Sequence, residues 1–202
     1  MKRNKICIFC GSSMGFDPIY KEKALELGQE MAKNGCELYY GAGSVGLMKI
    51  IADVMMQNQC RVVGTITRKL VDMEVAYHDI DEIIMVESMA ERKSILEERA
   101  DAFIAMPGGM GTMDELFEAI VLSQLRVHDK PVAIYNVNGY YDRLIEWLQH
   151  AVDEGFIRKE HFHNLIVSAD PKEILERIDA FKPVEVKKWV DNIKEESKNT
   201  TI

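Results

Sequence analysis

The strongest constraint on the fold is an alternation of short apolar runs with glycine-containing turns and helical segments. The apolar run at residues 6–10 ends at Gly11-Ser12-Ser13, and the run at 102–106 ends at Pro107-Gly108-Gly109. A short run that is apolar throughout is typical of a strand buried on both faces of a parallel sheet. Because helical segments separate the runs, the sequence predicts an α/β fold with a doubly wound parallel sheet and helices on both faces.

The pattern assigns most of the chain to single elements. The predicted strands are residues 6–10, 37–40, 61–66, 82–86, 102–106 and 131–137. The predicted helices are a first one between Asp17-Pro18 and Asn34-Gly35, then residues 47–58, 89–99, 113–125, 141–154 and 171–181. We expect one nucleotide-binding domain over residues 1–186 and a partly frayed tail over 187–202. Each glycine-rich turn follows a strand, so all of them should meet at the carboxyl edge of the sheet, where such folds bind ligands.

Composition excludes several classes of function. The 202 residues carry a formal net charge of -8, which argues against a nucleic-acid binder. The apolar run after the basic N-terminus is too short for a signal peptide or a membrane span, so we expect a cytoplasmic protein with no membrane partner. The four cysteines are expected to be reduced thiols. The pair His161-x-His163 is a weak metal signal, and we predict no metal site and no cofactor.

The first candidate ligand turn is Gly41-Ala42-Gly43-Ser44-Val45-Gly46, between a predicted strand and a predicted helix. Small residues there allow the backbone to approach a ligand, although plain turn geometry explains such glycines equally well. A dinucleotide fingerprint would require an acidic residue after the next strand, and Gly64-Thr65-Ile66 continues instead into Thr67-Arg68. The turn is therefore either a binding loop or a plain structural turn, and the sequence disfavours a dinucleotide site.

The second candidate is Pro107-Gly108-Gly109-Met110-Gly111-Thr112, which follows the strand at 102–106. Three glycines and a hydroxyl residue at a helix start provide N–H and side-chain donors for phosphate oxygens. Glu115 follows three residues after Thr112, within reach of a ligand on this cradle. An alternative is that Thr112-x-x-Glu115 is a capping box that only stabilises the helix start.

The third candidate is the cation pair Arg92-Lys93, close to the start of the helix predicted at 89–99. The helix dipole disfavours positive charge at that end unless an anion lies near. A solvated surface pair is the alternative interpretation. The unfavourable position indicates that an anion lies near these cations. The carboxylate of Glu115, or a phosphate bound at the second turn, would be such an anion.

The combination of Met89-x-x-Arg92-Lys93 with Pro107-Gly108-Gly109-x-Gly111-Thr112-x-x-Glu115 resembles the paired signature of the Lonely guy family, phosphoribohydrolases that release cytokinin bases from their nucleotides. The resemblance extends over nearly the whole chain and implies a Rossmann-like fold and a homodimer with sites near the subunit interface. It implies Arg92 and Glu115 as the catalytic pair. The expected substrate-binding residues are Ser12, Gly43, Ser44, Glu74, Lys93, Gly108, Gly109, Met110, Gly111, Thr112, Met113 and Asp114.

The reaction implied by the resemblance is hydrolysis of the N-glycosidic bond of a purine nucleoside 5′-monophosphate, giving free base and ribose 5-phosphate. Glu115 would bind ribose hydroxyls and polarise water, and Arg92 would orient the substrate. Two alternatives stay open, an AMP nucleosidase of purine salvage and a non-catalytic nucleotide or cofactor carrier. The family has also been labelled possible lysine decarboxylases, but no sequence context marks a lysine for pyridoxal phosphate.

Overall fold

The computed structural model describes residues 3–72 and 76–183, so Glu74 and the predicted tail at 187–202 lie outside the described residues. The strands are β1 (Lys5–Phe9), β2 (Glu37–Tyr40), β3 (Val62–Thr67), β4 (Glu82–Val86), β5 (Ala102–Ala105), β6 (Val132–Tyr135) and β7 (Ile166–Ser168). The helices are α1 (Ile19–Lys33), α2 (Gly46–Gln57), α3 (Arg68–Asp72), α4 (Met89–Arg99), α5 (Met110–Gln124), α6 (Asp142–Asp153), α7 (Lys159–His163) and α8 (Pro171–Ala180). A 3₁₀ turn, Val137–Gly139, precedes α6.

The seven strands form one sheet in the order β4-β3-β2-β1-β5-β6-β7, and all neighbouring strands are parallel. The chain runs outward from β1 to β4, then returns to place β5 on the other side of β1. This reversal opens a crevice at the carboxyl ends of β1 and β5, the position at which doubly wound sheets bind ligands. The predicted doubly wound α/β fold is confirmed.

Helices pack on both faces of the sheet. One buried cluster joins the sheet to α1, α2 and α8 through side chains such as Leu27, Ile51 and Ile174. The opposite cluster joins it to α4 and α5 through Leu96 and Leu116, with α6 packed beside them. Because α4 and α5 share one face and both begin at the carboxyl edge, their first turns meet above the β1–β5 crevice.

The start of α5 differs from the prediction. The helix begins at Met110, three residues before the predicted start at 113, because Gly109 is already extended (φ -95°, ψ -151°) and serves as the N-cap. Thr112 therefore lies inside the first turn, and the capping box predicted as an alternative for Thr112 and Glu115 is wrong. Glu115 lies in the second turn, where a carboxylate cannot cap the helix.

Shorter elements of the C-terminal half were not predicted. These are β7 at the sheet edge and the five-residue helix α7, each too short for a periodic pattern to develop. The side chains of Cys7, Cys10 and Cys36 are buried and that of Cys60 is partly exposed, and no disulfide joins any two of these four cysteines. Among the described residues, no helix is long and apolar enough to cross a membrane.

Candidate active site

Helix α4 places Arg92 in the crevice, and a side-chain cap stabilises the N-terminus of this helix. Ser88 Oγ accepts a hydrogen bond from the Glu91 backbone N–H at 3.1 Å, and the Glu91 carboxylate accepts one from the Glu87 N–H at 2.9 Å. This resembles a capping box, except that the carboxylate bonds the N–H of the residue before the cap instead of the N–H of the cap itself. The capping signal of this edge therefore belongs to Ser88 and Glu91, one helix before the pair considered in the sequence.

The Arg92 guanidinium is buried and held by three different elements. Its Nε donates to the Thr65 backbone oxygen of β3 at 2.9 Å, and its Nη1 lies 3.3 Å from Oε1 of Glu115 on α5. At the end of β2, a Cβ added to Gly41 would overlap Nη2 of Arg92. The first glycine turn thus contributes clearance for the arginine. These contacts fix the planar cation in one orientation, facing the carboxylate.

Glu115 is a buried carboxylate in the second turn of α5. Burial raises its pKa above the ordinary value for a glutamate, and the positive charge of Arg92 opposes that rise. Asp114 adds to the rise through like-charge repulsion. A carboxylate with a raised pKa is a stronger proton acceptor, and such groups are common at active sites.

The first turn of α5 contains the residues that were predicted to form a phosphate cradle. Helix geometry leaves the N–H groups of Met110, Gly111 and Thr112 without intrahelical acceptors, and the first bond of the helix runs from Met113 N to Gly109 O at 3.1 Å. A Cβ added to Gly109 or Gly111 would meet no atom within 4 Å. The packing of the protein does not require glycine at these positions. Glycine there leaves the backbone open to a ligand.

Arg92, Glu115 and the cradle line one cavity of about 250 Å3. Eight of the predicted site residues line it: Ser12, Arg92, Gly109, Met110, Gly111, Thr112, Asp114 and Glu115. Sequence reasoning missed Cys10, Gly11, Met48 and Met89, which also line it. The first two end β1 at the carboxyl edge, and this position could have indicated them. Met48 and Met89 lie in the first turns of α2 and α4. Met89 belongs to the paired signature but was given no role in the site, and nothing in the sequence distinguishes Met48 from a core methionine.

The other predicted residues lie around this cavity. Gly108 lines a neighbouring cavity, and Lys93 and Met113 line a shallow depression beside α5. Gly43 and Ser44 do not line the Arg92 cavity. Gly43 forms an isolated antiparallel β-bridge with Ala76, and a Cβ added to it would overlap the side chain of Met48.

Lys93 connects α4 to α5 through ion pairs. Its Nζ lies 3.1 Å from Asp114 Oδ2 and also pairs with Glu118. The hydrogen bond to Glu118, followed by that to Asp114, raises the lysine pKa, while partial burial opposes the rise. Lys93 is therefore a protonated cation beside two carboxylates.

The sequence matches a family model and several plant proteins. The model, described as possible lysine decarboxylase, matches residues 48–178. The chain is 41% identical over 179 residues to a probable cytokinin riboside 5′-monophosphate phosphoribohydrolase, LOGL2 of Oryza sativa subsp. japonica, covering 89% of this chain and 73% of that protein. It is also 41% identical over 180 residues to cytokinin riboside 5′-monophosphate phosphoribohydrolase LOG5 of Arabidopsis thaliana, covering 89% and 79%.

Solved structures resemble the fold at lower identity. A molybdenum cofactor binding protein from Rippkaea orientalis superposes with a TM-score of 0.67 at 20% identity, over 89% of this chain and 98% of that one. A molybdenum cofactor carrier protein from Chlamydomonas reinhardtii gives a TM-score of 0.66 at 18% identity, over 88% and 97%. At these identities the likeness concerns the fold alone.

Proposed function

Because this chain belongs to the Lonely guy family of phosphoribohydrolases, we propose that Arg92 and Glu115 act together on the N-glycosidic bond of a purine nucleoside 5′-monophosphate. The protein is an N-glycosyl hydrolase of the cytokinin-activating type, which releases an N6-substituted adenine and ribose 5-phosphate. The observation that carries the residue assignment is the buried Arg92–Glu115 pair facing the first turn of α5 across one cavity.

Glu115 is assigned to the ribose end of the substrate. Cleavage of the glycosidic bond passes through an oxocarbenium-like ribose, so a negative charge beside the sugar stabilises the transition state. The raised pKa of Glu115 also suits it to accept a proton from the attacking water. Burial supports both roles, since electrostatic interactions are stronger where water is excluded.

The α5 turn is assigned to the 5′-phosphate. The N–H groups of Met110, Gly111 and Thr112 and the positive end of the helix dipole favour an anion there. Met113 and Asp114 continue this turn, and Ser12 faces it across the cavity. Binding energy at the phosphate orients the ribose against Glu115, which a nucleoside without phosphate could not exploit. Arg92 orients the substrate from the opposite wall.

Lys93 is assigned an electrostatic role in substrate binding. Its ammonium offsets the charges of Asp114 and Glu118, which would otherwise repel the phosphate. The same pairing argues against Lys93 as a Schiff-base lysine of a decarboxylase. A Schiff-base lysine requires a lowered pKa, and the carboxylate partners of Lys93 raise it.

The remaining assignments concern the first glycine turn, Glu74 and the assembly. Gly43, Ser44 and Glu74 are proposed to complete the substrate site from the side of α2. We infer a homodimer that covers the outer face of α5, where Met110, Val121 and Leu125 are exposed. The absence of disulfides among Cys7, Cys10 and Cys60 supports a location in the reducing cytoplasm.

The test is a product assay on the purified protein with AMP, N6-prenylated AMP and the two nucleosides. We expect base release from the monophosphates to exceed that from the nucleosides by a factor on the order of 100. Glu115→Gln and Arg92→Ala should each lower kcat/KM by a factor on the order of 1000. Glu176→Gln, an exposed change on α8, is the matched control and should retain full activity.

Each outcome has a defined meaning. Equal rates on nucleosides would exclude the phosphate anchor, and an active Glu115→Gln would exclude the carboxylate assignment. Tight nucleotide binding without base release would instead indicate a carrier. A higher kcat/KM for AMP than for its prenylated form would indicate a nucleosidase of purine salvage.

A further inference from the structure

A second cavity, of about 280 Å3, adjoins the one that contains Arg92 and Glu115. The two share Gly11, Ser12 and Gly109, so the N-cap of α5 lies on the boundary between them. We call the second cavity the tyrosine chamber, because the rings of Tyr20 and Tyr140 line it. None of the roles proposed above for the hydrolysis of a monophosphate uses this space.

The lining of the tyrosine chamber is uncharged and contains two aromatic rings. The rings of Tyr20 and Tyr140 pack edge to face with centroids 5.8 Å apart. The Tyr140 hydroxyl donates to the Gly108 backbone oxygen at 2.7 Å, so this residue contributes its ring to the chamber while its polar end is already bonded. Met14 and Leu47 add apolar surface, and among the described lining residues none carries a charged side chain. Such a lining suits a planar or apolar group and disfavours a second phosphate.

The position of the chamber determines how such a group would be attached. In the proposed binding mode the phosphate lies on the first turn of α5, and the glycosidic bond lies toward Arg92 and Glu115. The tyrosine chamber adjoins this cavity at Gly11, Ser12 and Gly109, directly before the turn assigned to the phosphate. A group attached to the phosphate is therefore the part of a substrate that is placed to enter the chamber.

We propose that the tyrosine chamber binds an aromatic group esterified to the 5′-phosphate, so that nucleoside 5′-phosphodiesters are a further substrate class of this enzyme. This inference rests on the proposed function. The chemical step is unchanged: water adds across the bond between C1′ and the base nitrogen. The base leaves with a proton, and the ribose keeps its esterified phosphate.

The experiment compares adenine release from two esters of AMP, the phenyl ester and the methyl ester. Both carry one negative charge, and only the phenyl ester can fill the chamber. We expect kcat/KM for the phenyl ester to exceed that for the methyl ester by a factor on the order of ten. ADP, which places a second phosphate in the same direction, should compete with AMP more weakly than the phenyl ester does.

Two variants localise the effect. Tyr20→Ala removes one ring, and Ser13→Phe fills the chamber from an exposed loop position. Each should reduce the ratio of phenyl-ester to methyl-ester kcat/KM by a factor of about five. Phe156→Ala is the control, because this exposed ring follows α6 at the opposite edge of the sheet and should leave the ratio unchanged.

The outcomes separate this inference from the proposed function. If AMP is cleaved but the phenyl ester shows no advantage, or if the advantage survives both variants, the chamber assignment is wrong. If no nucleotide releases adenine, the proposed function fails, and calorimetric titration with the two esters still tests the chamber. Tighter binding of the phenyl ester, lost in both variants, would then support the assignment, and equal binding would overturn it.

Discussion

Nη1 of Arg92 lies 3.3 Å from Oε1 of Glu115, and the two side chains are only 10% and 12% exposed. An ion pair with this little solvent contact is a poor source of net stability, because both charges lose hydration. Removing one partner, however, leaves the other charge buried and unpaired. The two residues should therefore be considered as one unit, in which the charge of Arg92 opposes the rise in the pKa of Glu115.

The pH dependence of the reaction should report this coupling. Glu115 acts as a carboxylate, so activity falls as pH decreases through its pKa. Burial raises that pKa and Arg92 counteracts the rise, so Arg92→Gln should raise the pKa further. We expect the acidic limb of the kcat/KM profile to move to higher pH in the variant, together with a lower maximum.

The control for the pH experiment is Arg99→Gln. Arg99 lies in the last turn of the same helix, where its exposed guanidinium pairs with Glu82 at 2.9 Å. Its loss should leave the acidic limb in place. An acidic limb that does not move in Arg92→Gln would mean that a group other than Glu115 controls the reaction.

Alanine substitutions at two glycines of the turn at residues 107–112 should change the free energy of unfolding in opposite directions. A Cβ at Gly111 meets open space, so Gly111→Ala should raise the free energy of unfolding by about 0.5–1 kcal/mol through the helix preference of alanine. A Cβ at Gly108 would overlap Thr112 Oγ1 and approach Gly11 N to 2.8 Å, so Gly108→Ala should lower it by about 1–3 kcal/mol.

The kinetic effect of Gly111→Ala should oppose its stability effect. The added methyl group occupies the space through which a phosphate approaches the cradle, and we expect KM for AMP to rise by a factor on the order of ten. Thermal denaturation and initial-rate kinetics on the same preparation measure both quantities. An unchanged KM in a stabilised Gly111→Ala would exclude this turn as the phosphate site.

The local sequence pattern predicted the helices and strands that carry the site, and the edge of the sheet at which their turns lie. The strands at Glu82–Val86 and Glu37–Tyr40 and the helix Met89–Arg99 have their predicted bounds, because each combines a clear period with clear turn residues. The turns that follow strands had to meet at one edge of the sheet. The approach of Arg92 to Glu115 follows from that rule and from the side on which α4 and α5 pack.

Other parts of the site depend on contacts without a sequence signal. The Thr65 oxygen that orients Arg92 is a backbone atom, which every residue has. Gly41 leaves space for the side chain of Arg92, which lies 51 positions later in the chain, so no local pattern could show this role. The sequence had instead predicted that the turn containing Gly41 lets the backbone approach a ligand. The early start of α5 was missed because Gly109 and Gly111 have poor helix propensity, and the first turn forms despite it.

The cap of α4 should couple stability to the placement of Arg92. Ser88→Ala removes the acceptor of the Glu91 N–H and should lower the free energy of unfolding by about 1 kcal/mol. Because Arg92 lies one turn after the cap, kcat should fall as well. Asp170→Ala removes the equivalent cap of α8, on the other face of the sheet, and should cost similar stability without a change in kcat. Equal kcat in the two variants would show that the cap has no part in positioning Arg92.

The outer face of α5 gives the last prediction. Apolar side chains recur at helical spacing along this face, at Met110, Phe117, Val121 and Leu125. The first three line a shallow, mostly apolar depression, and Met110 is 89% exposed. A stripe of this kind on the helix that carries Glu115 is the surface that the proposed homodimer would bury. Val121→Glu should convert the dimer to a monomer in light scattering, because a carboxylate would lose its hydration in an apolar interface.

Activity should decrease with the dimer if the second subunit covers the α5 side of the site. Met110 and Asp114 line both the Arg92 cavity and the depression, so a subunit seated on the depression would also enclose the substrate. We therefore expect Val121→Glu to raise KM, while Phe156→Glu, an equally severe change at the opposite edge of the sheet, should alter neither mass nor KM. A monomeric Val121→Glu with unchanged KM would mean that each subunit holds a complete site, and a wild-type monomer would exclude the interface itself.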